Sequence, residues 1–386
     1  MYDIIIIGIG SMGSAALYNL SKQGAKVLGL EQFEVVHNKG SHSGQTRIIR
    51  KSYFEHSDYV PLLESSYKGW DLIQKETGKH LFHKTGLLYL GRPDHEVMRG
   101  IKKSSQQYKI PLEQPIHAND FKTIKRDYSI FNIPTNFEGL LEQNAGFVLT
   151  EETISTYVDE AKKNGAILKT GEEVLNWGLK NGIVNVSTDK GLYKAKKLII
   201  ASGAYTQKLL PPIKDLLCVT RQVITWIKPE NISEFEIGKF PCWVLADNDL
   251  PGVMYGFPIL NQKEFKGLNW MKVAHHFPNE CIEPRELHSF NTGDEQNKIQ
   301  DFLKKYIPKS LGEIVSTTTC MYTNTKDGHF IIDFAPETNN QVIIATGFSG
   351  HGFKFVPVIG EILSDLALEG KTNFPIDFLR LKRFEK

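Results

Sequence analysis

The first residues of the chain set its hydrophobic pattern. Tyr2-Asp-Ile-Ile-Ile-Ile7, apolar without a break from Ile4 to Ile7, fits a buried strand. It passes directly into Gly8-Ile-Gly10-Ser11-Met12-Gly13 and then into helical spacing, and a second apolar run, Lys26 to Leu30, closes on the acid Glu31. Strand, glycine triplet, helix, strand and terminal acid in this order are the fingerprint of a dinucleotide fold. Gly8 makes the turn, Gly10 lets backbone approach a pyrophosphate, and Gly13 lets the helix pack on the strand. Glu31 is the ribose acceptor, and the pattern does not separate FAD from NAD.

Further along, Val60, Leu63, Tyr67, Trp70 and Ile73 recur at helical spacing between an N-cap at Ser57 or Asp58 and a stop at Gly78. Phe82 to Leu90 is β-prone around Gly86 and reads as one strand leaving the nucleotide domain. Thr150-Glu-Glu-Thr opens a capped amphipathic helix through Lys163, ended by Asn164-Gly165. Lys180-Asn-Gly182 and Asp189-Lys-Gly191 are hairpin signals. Two later segments echo each other, Leu198-Ile-Ile-Ala-Ser-Gly203 and Val342-Ile-Ile-Ala-Thr-Gly347, and predict parallel strands returning to one sheet beside one ligand. Between them Arg221 to Ile227, Cys242 to Ala246, Val253 to Phe257 and Asn269 to His275 are short β-like runs broken by Pro, Gly and Asp. They predict a second domain with a mixed or antiparallel sheet. Asp294 to Tyr306 predicts a helix that Pro308 terminates.

Composition narrows this picture. A chain of 386 residues predicts two domains sharing one ligand. The net charge of +2, from 46 basic and 44 acidic residues, implies no nucleic-acid partner. No apolar run has the length of a membrane span, and Ile4 to Ile7 is too short for a signal peptide, so no membrane association and a cytoplasmic location are expected. The C-terminal Arg383-Phe-Glu-Lys386 is not a peroxisomal tripeptide of the Ser-Lys-Leu kind. Cys218, Cys242, Cys281 and Cys320 show no CxxC spacing, so no metal site and no disulfide framework are expected, and the four read as small buried hydrophobes.

Candidate chemistry lies in four stretches. Gly40-Ser-His-Ser-Gly-Gln-Thr-Arg-Ile-Ile-Arg50 reads as a loop feeding a helix, and its Arg47 and Arg50 fit equally a solvated face or an anionic ligand gripped bidentately. Met271-Lys-Val-Ala-His-His276 and the stretch Cys320 to Asp333 are β-like. Thr346-Gly-Phe-Ser-Gly-His-Gly-Phe-Lys354 is a glycine-rich turn into a helix, with Lys354 in the first helical turn, where the macrodipole disfavours a cation. A nearby anion would account for that placement; a solvent-exposed lysine is the alternative.

Ser41-His42 with Thr46-Arg-Ile-Ile-Arg50, then Tyr255-Gly-Phe-Pro258, Cys320-Met-Tyr322, Phe330-Ile-Ile-Asp333 and Gly347-Phe-Ser-Gly-His-Gly-Phe-Lys354, resemble the monomeric sarcosine oxidase family of flavin amine oxidases. The likeness runs from the first strand to Phe378-Leu-Arg-Leu-Lys-Arg-Phe384. It implies an α/β architecture: a discontinuous, Rossmann-like FAD domain of the glutathione-reductase type (1–80, 140–215, 320–386) and a mixed-sheet α+β substrate domain (81–139, 216–319). It implies FAD bonded through the sulfur of Cys320, Arg50 and Lys354 gripping a substrate carboxylate, and Arg47 and Lys272 as cations flanking the flavin, Lys272 activating oxygen. His276 is then an active-site histidine, and Tyr255 and Tyr322 are walls of the substrate pocket.

The cofactor contacts implied are the fingerprint residues Gly8, Gly10, Ser11, Met12 and Gly13 with Glu31, and Ser41, Thr46 and Arg47 from the following loop. Val174, Gly203, Cys320 and Met321 join them, as do Gly347, Phe348, Gly350, His351, Gly352 and Lys354. The activity implied is oxidation of a secondary amino acid of sarcosine or L-pipecolate type by a monomer, giving an imine and hydrogen peroxide. Ser43 and Gln45 depart from the bacterial pattern, and Gln45 is as in pipecolate oxidases. That leaves N-methyl-L-tryptophan and sugar-derived amino acids as alternatives. The rival class is a nicotinamide-linked or non-catalytic dinucleotide-binding protein.

Overall fold

The computed structural model describes residues 1–118, 128–277, 280–288 and 292–385. The strand Tyr2–Ile7 lies at the centre of the first sheet, paired in parallel with Val27–Leu30 on one side and Leu192–Ile200 on the other. Its β-branched side chains are almost wholly buried on both faces, the condition of a parallel strand covered by helices. The echo in the sequence is structural: Leu198, Ile199 and Ile200 pair in parallel with Val342, Ile343 and Ile344. Ile167–Lys169 extends the sheet beyond Val27–Leu30, and Val174–Lys180 and Ile183–Thr188 form the first hairpin, its turn carried by Asn181 and Gly182 at positive φ. The helix Ser11–Lys22 packs against Thr150–Lys163 and Val356–Glu369, and Tyr59–Thr77 packs on the last of these.

The second sheet has eight strands in the order Gly312–Thr325, Leu217–Pro229, Met271–His276, Val253–Phe257, Cys242–Ala246, Leu87–Gly91, Glu138–Glu142 and Glu113–Ile116. Its pairings are antiparallel except that of Cys242–Ala246 with Leu87–Gly91, so the sheet is mixed. The helix Gly293–Tyr306 covers it through Ile299, Phe302, Leu303 and Tyr306.

Several expectations need correction. The stretch after Gly40 feeds a strand, Thr46–Ile49, because the β-branched Thr46, Ile48 and Ile49 pair antiparallel with Gly146–Leu149. Phe82 to Leu90 is two strands: Gly86 at φ +76° turns the chain, leaving Phe82–His83 in a three-stranded sheet and Leu87–Gly91 in the second sheet. Asp58 and Leu149 occupy the N-cap positions of their helices with no side-chain cap, and Thr150 is already helical. Lys354 precedes the long helix, in the short 3-10 turn Phe353–Phe355.

The cysteines also depart from expectation: Cys218 and Cys281 are not buried hydrophobes but a disulfide-bonded pair, with Cys218 half-buried and Cys281 exposed. The backbone bridge between Thr220 and Cys281 brings together two segments whose cysteines stand 63 residues apart, a proximity no local spacing encodes. Cys242 and Cys320 lie outside the disulfide and are buried, as expected of small hydrophobes.

Candidate functional site

Two clefts meet where the sheets adjoin. The larger encloses about 1290 Å³ including its open mouth and follows the fingerprint along Gly8, Gly10, Ser11, Met12 and Glu31. Ser41, Arg47, Val174 and Gly203 line it further along, and Gly347, Phe348, Gly350 and Gly352 close its other side. The smaller, about 560 Å³, is lined by Arg50, Glu55, Tyr255, His276, His351 and Lys354, with apolar surface from Ile48, Phe54, Val244 and Val253. Arg47, Tyr322, Gly350 and Phe353 border both. Gly13, Thr46, Lys272, Cys320 and Met321 line neither cleft: Gly13 backs onto Gly8, Lys272 reaches Gly44 and Thr46, and Cys320 packs beside Tyr322.

The large cleft has the construction a dinucleotide needs. A Cβ on Gly13 would lie 1.8 Å from the Gly8 carbonyl oxygen, so any side chain there would force the helix off the strand and close the cradle. Gly350, at φ +75°, would place a Cβ 2.4 Å from the Tyr322 ring. Glu31 is held by the N–H groups of Ile9 (2.8 Å) and Phe33 (3.0 Å), one on each carboxylate oxygen. Each oxygen keeps a lone pair for a further donor. Two buried polar atoms on residues of this cleft, His42 Nε2 and Thr323 Oγ1, have no hydrogen-bond partner among the described residues. A bound group with polar edges fits both the cradle and these atoms.

The small cleft concentrates cations. Arg50 is buried, donates through Nη2 to both carboxylate oxygens of Glu55 at 2.7 Å, and donates through Nη1 to Ser52 O at 2.6 Å. Burial works against its charge, but Glu55 overrides burial and holds the guanidinium above its ordinary pKa. Burial would raise the Glu55 carboxyl; Arg50, then His351 and Lys354, pull it down to about 2. Lys354 Nζ donates to His351 O at 2.7 Å. Desolvation and then the charge of Arg50 lower it to about 7, against the pull of Glu55. This explains its placement better than a macrodipole does: it sits in a dry corner between a cation and an anion.

His276, lowered to about 4 mainly by burial, is neutral at physiological pH, and its Nδ1 lies 3.1 Å from the Tyr322 hydroxyl. His351 is lowered to about 3 by burial, and its Nδ1 shares a hydrogen bond with Tyr53 OH at 2.5 Å.

At the junction, Arg47 donates to the carbonyls of Ser41 (2.8 Å), Ser43 (2.7 Å) and Thr46 (2.8 Å). Lys272 is 3% exposed, so it is not a strand lysine pointing to solvent. Its ammonium donates to Gly44 O (2.8 Å), Thr46 O (2.7 Å) and Thr46 Oγ1, and lies 4.0 Å above the Phe257 ring. Burial, then Arg47, lower it well below an ordinary lysine. Cys320 and Tyr322, two residues apart on one strand, share a face and pack with Ile224, Trp226 and Ala274. Burial raises the Cys320 thiol, while Arg47 and Lys272 oppose that rise.

Sequence reasoning missed Glu55 and Tyr53. The signal for Glu55 was available: an acid five residues after Arg50 in the same short segment. Tyr53 gave no signal, because its partner His351 is 298 residues away.

A family model described as FAD dependent oxidoreductase matches residues 3–366. The monomeric sarcosine oxidase of Streptomyces avermitilis is 37% identical over 385 residues, covering 99% of this chain and 97% of that one. The human peroxisomal sarcosine oxidase is 32% identical over 392 residues, covering 100% and 96%. Among solved structures, NikD, an unusual amino acid oxidase essential for nikkomycin biosynthesis, superposes with a TM-score of 0.85 at 23% identity, covering 98% of this chain and 97% of that one. The L-proline dehydrogenase from P. horikoshii gives 0.82 at 21%, covering 100% and 98%. Those two likenesses speak for the fold. Glycine cradle, family model and full-length relatives agree that the chain belongs to the FAD-dependent oxidoreductases, in the monomeric sarcosine oxidase family.

Proposed function

We propose that the large cleft holds FAD, bonded through Cys320, and that the small cleft takes a secondary amino acid by its carboxylate. The protein is an FAD-dependent oxidase of secondary amino acids. The observation that carries the site assignment is the junction: a buried cationic corner, Arg50 and Lys354, opens onto the dinucleotide cleft at Arg47 and Tyr322. FAD bound there would supply a two-electron acceptor for the hydride on the carbon next to nitrogen, with oxygen as the final acceptor giving hydrogen peroxide.

The residues do the rest. Arg50 meets the carboxylate after Glu55 yields its bidentate contact, and Lys354 adds a second donor. With one end fixed, the C–H beside nitrogen faces the junction, which converts encounter into orientation. Ile48, Phe54, Val244 and Val253 hold the apolar part and exclude water. Tyr255, Tyr322 and neutral His276 wall the amine, and a low-dielectric surround disfavours the ammonium, so the substrate reacts with its lone pair free. Lys272, held behind Thr46 by the carbonyls of Gly44 and Thr46, would present a buried amine, charged when protonated, toward the side of the junction where oxygen is reduced. In this reading the first sheet belongs to the nucleotide domain and the second to the substrate domain, whose strands Glu138–Glu142 and Gly312–Thr325 run across the boundaries at 140 and 320 that the resemblance implied, and the protein works as a cytoplasmic monomer.

Peroxide release across sarcosine, L-pipecolate, L-proline and N-methyl-L-tryptophan tests the activity and ranks the substrates. The expected protein is yellow, stays yellow after acid precipitation and releases peroxide with at least one of these. A colourless protein that binds NADH and releases none overturns the proposal.

A further inference from the structure

Glu142, the last residue of the strand Glu138–Glu142, is 1% exposed and has no ion-pair partner among the described residues. A buried carboxylate without a cation persists only where hydrogen bonds replace its hydration. Four donors do so here. Oε1 accepts from Lys51 N at 2.7 Å, and Oε2 accepts from Ser52 N at 3.0 Å, from Tyr89 OH at 3.2 Å and from the Ser52 hydroxyl. Three of the four come from residues 51 and 52, which belong to no strand or helix and whose N–H groups are held by no sheet ladder. The same Ser52 offers its carbonyl to Arg50 Nη1 at 2.6 Å. Glu142 grips the turn by its N–H groups, and the turn grips the guanidinium by its carbonyl.

We propose that Glu142 is a positioning residue for carboxylate binding, setting through Ser52 where the Arg50 guanidinium stands. The proposal rests on the reading that Arg50 takes the substrate carboxylate. Glu142 lines neither cleft. Its importance grows on binding: when a ligand carboxylate replaces Glu55 on Nη2, Ser52 O on Nη1 is the hydrogen bond that still ties the guanidinium to the protein. The rings of Tyr53 and Phe54, with centroids 4.4 and 4.2 Å from the guanidinium carbon, supply faces but no fixed direction. Because Glu142 stands in the second sheet and pairs with Leu87, it sets the position of the arginine relative to that sheet.

The test uses flavin-loaded enzyme and two probes, cyclopentanecarboxylate and its neutral carboxamide. Glu142→Gln keeps the shape but turns one acceptor into a donor facing the N–H and O–H groups of residues 51 and 52. It is expected to raise the dissociation constant of the carboxylate about tenfold, the range of one perturbed charge-assisted hydrogen bond, and to leave that of the carboxamide within about twofold. KM for the amino acid rises while kcat at saturation stays within about twofold. Ser52→Ala, which removes one donor and keeps the backbone, is expected to move the carboxylate constant about threefold in the same direction, and answers the question should Glu142→Gln not fold. In an Arg50→Ala background neither change should weaken the carboxylate further. Equal losses for both probes, or losses that persist without Arg50, overturn the proposal. If Arg50→Ala leaves carboxylate affinity unchanged, the reading of Arg50 fails and the proposal falls with it; if Arg50→Ala weakens it and the other two variants do not, the proposal alone fails.

Discussion

Carboxylate binding should depend on pH through Lys354. Free of ligand, this lysine is lowered to about 7 by burial and by Arg50. A ligand carboxylate in the same corner is an opposite charge, so it raises the lysine again. Proton and ligand therefore bind with mutual help. Below pH 7 the lysine is already charged and affinity is flat; above it each pH unit costs about 1.36 kcal/mol, a tenfold loss, until the pKa of the bound state is reached. From pH 7 to 9 the dissociation constant of cyclopentanecarboxylate should rise by about two decades if the bound lysine stays protonated throughout. Near pH 8 binding should take up about one proton.

Other groups in the small cleft titrate outside this window: His276 near 4, His351 near 3 and Glu55 near 2, with Tyr255 and Tyr322 raised above an ordinary tyrosine. Lys272 is lowered too, but its ammonium faces Gly44 and Thr46 rather than this cleft. Flavin absorbance titrations at constant ionic strength from pH 6 to 9 measure the slope, and Lys354→Met should abolish it. A wild-type constant that does not change with pH, or a slope surviving in Lys354→Met, refutes the reasoning.

Cys320→Ser should release all flavin on denaturation, read as loss of fluorescence from the protein band; retained flavin would place the bond elsewhere. Lys272→Met should slow reaction of the reduced enzyme with oxygen about a thousandfold, if about 4 kcal/mol of stabilisation is lost, and slow anaerobic reduction by substrate far less. Stopped-flow measurement of both half-reactions separates this from the general loosening caused by leaving the carbonyls of Gly44 and Thr46 without their donor. Gly13→Ala should yield protein without flavin and with a lower melting temperature, since the new Cβ meets the Gly8 carbonyl and overpacking of this kind costs about 1–3 kcal/mol. Wild-type flavin occupancy in that variant would mean the cradle tolerates a side chain.

What the sequence disclosed follows from how locally each feature is encoded. Period and punctuation sufficed for the first strand, the helix Tyr59–Thr77 with its stop at Gly78, and the hairpin at Asn181-Gly182. The twin Ile-Ile-Ala strands were legible because their neighbours in the sheet resemble them. Thr46–Ile49 escaped because three β-branched residues around an arginine, next to a polar loop, carry too little pattern; their pairing with Gly146–Leu149 makes the strand. At the site the cations could be named from motifs, but their state could not. Whether Lys354 is a surface charge or a lysine lowered to about 7 depends on Arg50 and Glu55, some three hundred positions away in sequence and adjacent in space. The Arg50 and Glu55 contact lay within one short segment and was readable in principle.

The bond between Cys218 and Cys281 makes the protein's thiols a two-valued counter. Four cysteines less the bonded pair leave Cys242 and Cys320. In the native state both are sealed from reagent, Cys242 with its thiol pushed up to about 12 by burial. Unfolded without reductant, the chain offers two reactive sulfurs if Cys320 is free and one if it carries a flavin, because Cys242 always reports. A colorimetric thiol titration on an unfolded sample therefore reads the fraction of molecules that have completed their cofactor linkage, with the disulfide keeping the other two sulfurs out of the count.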